Sequence, residues 1–177
     1  MFEFRTKRID SVYLKPFGIL EKCLHFTVGE KNKHLCEGYC GRAVSVLLID
    51  TQCFRVDHQP SFLSFEKRVL TLKRLEDFET IGDIEIFEHA KRGHVNAIAK
   101  LLDGRNFSFR YSSDHFQLFK PISWYSVFQV DNYNGGIVEF RGEDFGQVHV
   151  QNLSDPLTIA LGLFVRERLE RMRLEID

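Results

Sequence analysis

Three places in the chain set an acid beside a histidine: Asp57-His58, Glu88-His89 and Asp114-His115. An imidazole oriented by a carboxylate can act as a general base, and beside a hydroxyl or a water it would support hydrolysis. Consecutive residues on a strand point to opposite faces, so adjacency alone makes none of these a dyad; only a turn would let the two members meet. No Gly-x-Ser-x-Gly, phosphate-loop or His-Glu-x-x-His pattern accompanies them. The enzyme left open is a small hydrolase working through rim histidines, with His115, His149 and an acid gathered in one cleft.

The second chemical set is Cys23, His34, Cys36, Cys40 and Cys53, the soft ligand types that zinc takes. Cys-x-x-x-Cys with no second knuckle is looser than paired Cys-x-x-Cys, so the expectation is thiols with no metal and no cofactor. The stretch Phe2-Glu3-Phe4-Arg5-Thr6-Lys7-Arg8 alternates and is charged, unlike a secretory leader. It points to a cytoplasmic location, where cysteines stay reduced.

The third set is basic. Lys67-Arg68 with Lys73-Arg74, and Lys91-Arg92, have few acids near them in sequence and are the expected contacts for an anionic headgroup. The plainer reading is edge-strand lysine and arginine that discourage aggregation. Arg166, Arg168, Arg171 and Arg173 lie near Glu167 and Glu170, at helical spacings that let the charges pair locally on a solvated face. With 24 basic and 25 acidic residues the formal charge is -1, so no global field recruits nucleic acid, and only a local patch would attract an anionic surface. Trp124 and Tyr125 are adjacent and face opposite ways, which is not a base-stacking platform.

The elements that must position these residues are mostly strands. The 177 residues are 44% hydrophobic and include 17 Phe, enough for one domain with an aromatic core. Strands are expected from Phe2 onward, across Tyr13–Leu20 with a bend at Pro16-Phe17-Gly18, and at Cys23–Val28, Leu35–Tyr39, Val44–Ile49 and Phe54–Asp57. More follow at Val69–Arg74, Ile81–Phe87, Val95–Leu101, Asn106–Tyr111, His115–Phe119, Trp124–Val130, Ile137–Arg141 and Gln147–Gln151. Ala90–Leu102 resembles half an ankyrin repeat, but no second copy follows near 33 residues on, and a lone repeat cannot bury its face. Strands ended by Gly, Asn or Asp turns at roughly ten-residue spacing indicate an antiparallel meander.

The meander is followed by one helix, expected from Asp155 to about Glu175. Its first half, Leu157-Thr158-Ile159-Ala160-Leu161-Gly162-Leu163-Phe164-Val165, is apolar on nearly every face and must be surrounded by protein. Nine residues span about 14 Å, too short for a bilayer, which needs roughly twenty. Leu157, Leu161, Leu163, Phe164 and Val165 are therefore read as a plug inside a closed antiparallel β-barrel of about twelve strands. Gly162 would let a strand approach closely, and from Arg166 the helix would emerge into solvent.

The meander, the late hairpin Gly136–Arg141 with Gln147–Val150, and the Asp-led apolar helix Asp155–Phe164 together resemble the Tubby C-terminal-like superfamily, which includes the phospholipid scramblases and the plant LURP-one-related proteins. The resemblance implies a barrel filled by its C-terminal helix, acting without catalysis as a binding module for an anionic phospholipid headgroup or a protein partner. No basic cluster here can be matched to the phosphoinositide positions of Tubby proteins, and no acidic calcium-binding segment of scramblase type occurs. A scaffolding protein is the third class the sequence allows.

Overall fold

The computed structural model describes residues 1–15, 17–31, 33–58, 67–87, 94–111, 127–152 and 155–174, the side chains of 171–174 excepted. Twelve strands among these residues are β1 (Phe2–Leu14), β2 (Gly18–Glu30), β3 (Lys33–Cys40), β4 (Val44–Ile49), β5 (Gln52–His58) and β6 (Lys67–Arg74), then β7 (Thr80–Phe87), β8 (Val95–Leu101), β9 (Asn106–Tyr111), β10 (Phe128–Asn132), β11 (Ile137–Gly142) and β12 (Phe145–Gln151). Every strand pairs antiparallel with its neighbours in sequence, and β1 closes on β12 through Phe2↔Val148 to Arg5↔Phe145. The result is a closed barrel, which has no free sheet edge along its paired length.

Alternation explains the closure. Phe4, Phe26, Val28, Leu47, Val56, Leu72, Ile84, Phe109, Val130, Val138 and Phe140 all point inward and are essentially inaccessible. Their opposite faces carry a ladder of ion pairs, among them Arg55–Asp57, Lys73–Asp57, Arg110–Asp131 and Arg141–Glu139. The stretch 13–20 departs from expectation: it belongs to two strands of one long hairpin, with Leu14 paired to Gly18, and not to one bent strand. The expected strand His115–Phe119, and the start of the one at Trp124, lie outside the described residues.

The helix α1 (Pro156–Leu174) fills the barrel. Asp155 caps it: its Oδ1 accepts from the Leu157 amide at 3.0 Å, and Pro156 occupies the first turn, where no donor is needed. Arg105 holds the cap's other oxygen at 2.8 Å, tying the β8–β9 turn to the helix start. Leu161, Leu163, Phe164 and Val165 are fully buried, and Leu157 nearly so, in one cluster with the inward strand residues. α1 approaches β2–β4 and β9–β11 most closely. The small inward set Cys36, Gly38 and Cys40 leaves room on the β3 side, while Leu70, Leu72, Ile84 and Ile86 fill the far side.

Because strands alternate in direction, β12 delivers the chain to the end of the barrel where α1 enters. The turns β2–β3, β4–β5, β6–β7, β8–β9 and β10–β11 share that entry end; the turns β1–β2, β3–β4 and β11–β12 surround the exit end. The helix does not reach solvent at Arg166 as the sequence suggests, since Arg166 is 4% and Glu167 6% exposed. Arg166 donates to the Gly142 and Glu143 carbonyls at 2.6 and 3.0 Å and to Glu167 at 2.8 Å, and lies over the Phe4 ring. The pair is anchored inside the mouth, and two of Arg166's partners are backbone carbonyls that no pattern of charges reveals.

Candidate ligand-binding cleft

The fold does not gather the four expected cations of β6 into one patch. β6 runs the length of the barrel, so Lys67 and Arg68 stand at the exit end while Lys73 and Arg74 stand at the entry end. Lys67 meets Glu85 at 3.5 Å, Lys73 meets Asp57 at 2.9 Å, and Arg74 bonds Glu79 at 2.5 Å. Partial burial raises the Asp57 carboxyl, but hydrogen bonds from Lys73 and Arg55 outweigh it and hold the group below the usual range. Lys91 and Arg92 lie outside the described residues.

A different basic face forms where two strands are unequal in length. β12 begins at Phe145, so beyond Thr6, whose amide donates to the Asp144 carbonyl at 2.6 Å, β1 continues with no strand neighbour on that side among the described residues. The gap is a cleft of about 550 Å³ lined by Arg5, Thr6, Lys7, His25, Thr27, Asp144 and Phe145. Arg5 pairs across strands with Thr27 on one side and Phe145 on the other, its guanidinium 5.4 Å from the Phe145 ring centre. Lys7 lies opposite His25, which Glu37 fixes at 3.0 Å and Tyr39 stacks at 4.4 Å. No ion pair among the described residues uses Arg5 or Lys7, in contrast to Lys67, Lys73 and Arg74.

Of the histidines considered for catalysis from sequence, His58 and His149 are among the described residues. His58 ends β5 inside the exit mouth, where Arg168 donates to its Nδ1 at 2.9 Å. With Nδ1 accepting, the ring proton belongs on Nε2, which lies 3.4 Å from Ser45 Oγ; the imidazole also bonds the Arg42 backbone. A base that activates serine needs the reverse polarity, with Nε2 accepting. Burial first, and the Arg168 charge second, pull the His58 imidazole down to about 4. His149 is partly exposed on β12 opposite Glu139, and His115 lies outside the described residues.

The cysteines form no disulfide, and Cys23, Cys36 and Cys40 are buried. Burial, aided by the nearby Glu37 charge, pushes the Cys36 thiol up to about 12, so it is held as the neutral thiol. Among the described residues no three His, Cys, Asp or Glu side chains come together as a metal site. Nor is any described helix long and apolar enough to cross a membrane.

Sequence reasoning passed over Arg5 and Lys7 because each is one charge in an alternating strand. The available signal was that alternation itself, since two successive outward positions of β1 are cationic. Comparison with known proteins found no matching family model, no matching curated protein and no matching solved structure.

Proposed function

We propose that this barrel is a binding module whose cleft receives an anionic group between Arg5, Lys7 and His25. The observation that carries the reading is the contrast in pairing: Arg5 and Lys7 line the cleft and make no ion pair among the described residues, whereas Lys67, Lys73 and Arg74 on β6 each meet a carboxylate. Uncommitted cations beside a concave surface attract an anion by field as well as by hydrogen bonding. Asp144 at the other side of the cleft suits a hydroxyl or ammonium on the same ligand, and Phe145 gives it an apolar wall. A phosphate-bearing headgroup with a polar substituent has this chemistry, consistent with the resemblance to Tubby-like domains. The filled barrel leaves catalysis and cargo storage no interior space, so the activity belongs to the outer surface.

The test is titration calorimetry with inorganic phosphate and with glycerophosphate, alongside co-sedimentation with vesicles of neutral lipid with or without an anionic phospholipid, at low and physiological salt. Binding that weakens with salt and falls at least tenfold in Arg5→Ala/Lys7→Ala is expected. Binding in only the vesicle arm identifies a lipid-borne anion; binding in the soluble arm identifies a free one. If the double variant binds as well as the parent, the cleft is not the site.

A further inference from the structure

The two ends of the barrel present apolar surfaces of opposite electrostatic character. At the exit end, β1 has no strand beside it beyond its contact with β12, and β2 pairs with β3 only from Leu24 onward. Arg8–Leu14 of β1 and Gly18–Lys22 of β2 therefore form a two-stranded arm with no further strand neighbour among the described strands, an arrangement that is marginal in water without a partner. Tyr13 and Ile19, cross-strand partners near its tip, are 65% and 66% exposed. Within the arm Arg8, Lys15 and Lys22 stand against Asp10 and Glu21, a small excess of positive charge.

At the entry end, three hairpin turns that follow one another around the barrel each expose an apolar side chain. These are Phe78 between β6 and β7, Leu102 between β8 and β9, and Tyr133 between β10 and β11, exposed by 58%, 77% and 51%. The turns are held firmly. Arg74 bonds Glu79, the Leu102 amide donates to the Ile81 carbonyl at 2.8 Å, and Tyr133 meets the Phe107 ring edge-on. Phe78 is kept at φ +55°, a conformation a bulky residue rarely adopts, and its ring is nonetheless presented outward. Glu76, Asp77 and Glu79 surround it against Arg74, so this crown is acidic where the arm is basic.

We propose that the arm of one copy docks on the crown of a second copy, head to tail. Tyr13 and Ile19 would cover Phe78, Leu102 and Tyr133, removing apolar surface from water on both partners, while the opposed charges set the orientation. Because the two faces lie at opposite ends of one molecule, each contact leaves one arm and one crown unused, and the assembly grows with concentration. Tyr13, Ile19 and the arm's own cations Arg8, Lys15 and Lys22 do not line the cleft, so self-association and anion binding are separable.

Sedimentation velocity over a wide concentration range, at low and physiological salt, tests it with two exposed-residue variants. One is Tyr13→Ser/Ile19→Ser and the other Phe78→Ser/Leu102→Ser, with circular dichroism melts confirming that both are folded. The parent is expected to form oligomers that grow with concentration and shrink with salt, and each variant to associate at least tenfold more weakly. An equimolar mixture of the two variants is expected to stop at a dimer, since one intact arm meets one intact crown. A parent that stays monomeric throughout, a mixture that stays monomeric, or an arm–arm dimer indifferent to the crown substitutions overturns the proposal. Binding of the arm to anionic vesicles with no self-association also overturns it and assigns the arm to a bilayer.

Discussion

Gly162 and Phe140 approach so closely that a Cβ on the glycine would lie 2.6 Å from Cε2 of the ring, and 2.7 Å from Cγ2 of Val130. Phe140 cannot readily yield, being wedged between Phe4 and Phe128 with ring centres at 6.1 and 6.4 Å. In Gly162→Ala the helix gains about 1 kcal/mol of propensity, while overpacking a closed core costs about 1–3 kcal/mol. The expected result is a net loss of about 1 kcal/mol, read as a lower urea midpoint at unchanged slope. A variant more stable than the parent would show that the helix is not pressed against β10 and β11.

Leu161 is fully buried at the centre of the plug. Leu161→Ala should lose about 2–5 kcal/mol yet unfold cooperatively. Leu161→Asp sets an unpaired charge among hydrocarbon, at a cost of several kcal/mol against a total stability of roughly 5–15 kcal/mol. It should lose its native near-ultraviolet dichroism; a folded, cooperative Leu161→Asp protein would disprove the burial.

Two buried groups at the exit mouth give opposing pH dependences. Burial raises the Glu167 carboxyl from 4.5 to about 7; the nearby Arg166, and Thr6 with its hydroxyl 3.4 Å away, oppose that rise while Glu170 and Asp144 add to it. The folded chain keeps a proton that the unfolded chain releases, so this contribution to stability is present below pH 4.5 and is lost as pH rises to about 7. His58, lowered from 6.5 to about 4, does the reverse: its contribution is complete above pH 6.5 and is lost as pH falls toward 4. The two slopes nearly cancel between pH 4.5 and 6.5. Urea titrations of the parent across this range should show little change from this pair. Those of Glu167→Gln should show stability rising with pH, and those of His58→Gln stability falling with pH. Parallel profiles for the parent and both variants would refute the buried titrations.

Phe78 bears a conformational cost that its exposed ring does not offset locally. Relieving the left-handed backbone in Phe78→Gly should stabilise the fold by about 0.5–1 kcal/mol, after the chain-entropy cost of glycine is subtracted. The same variant should associate more weakly with itself. A thermal midpoint that falls would mean that the ring packs against the barrel.

The strands, their order and the buried helix were legible because each is dictated by local chemistry. Phe107 and Phe109 alternate with Ser108 and Arg110, and Leu157–Val165 has no polar face to turn to water. The placement of charge was not legible. Lys67 and Lys73 looked available in sequence because Glu85 and Asp57, which hold them, lie on neighbouring strands. Arg166 looked solvent-bound because the carbonyls of Gly142 and Glu143 that receive it carry no sequence signature.

Period and polarity therefore determined the class of each segment, and the absence of any other surface for the apolar helix determined that the sheet must enclose it. Only the tertiary structure decided which cations meet a carboxylate and which, among the described residues, do not. An ion pair depends on distances of a few ångströms between residues far apart in sequence, and these follow from strand register and strand length. The unequal lengths of β1 and β12 open the cleft at Arg5 and Lys7 and free the β1–β2 arm, a consequence of closure that no single stretch of sequence contains.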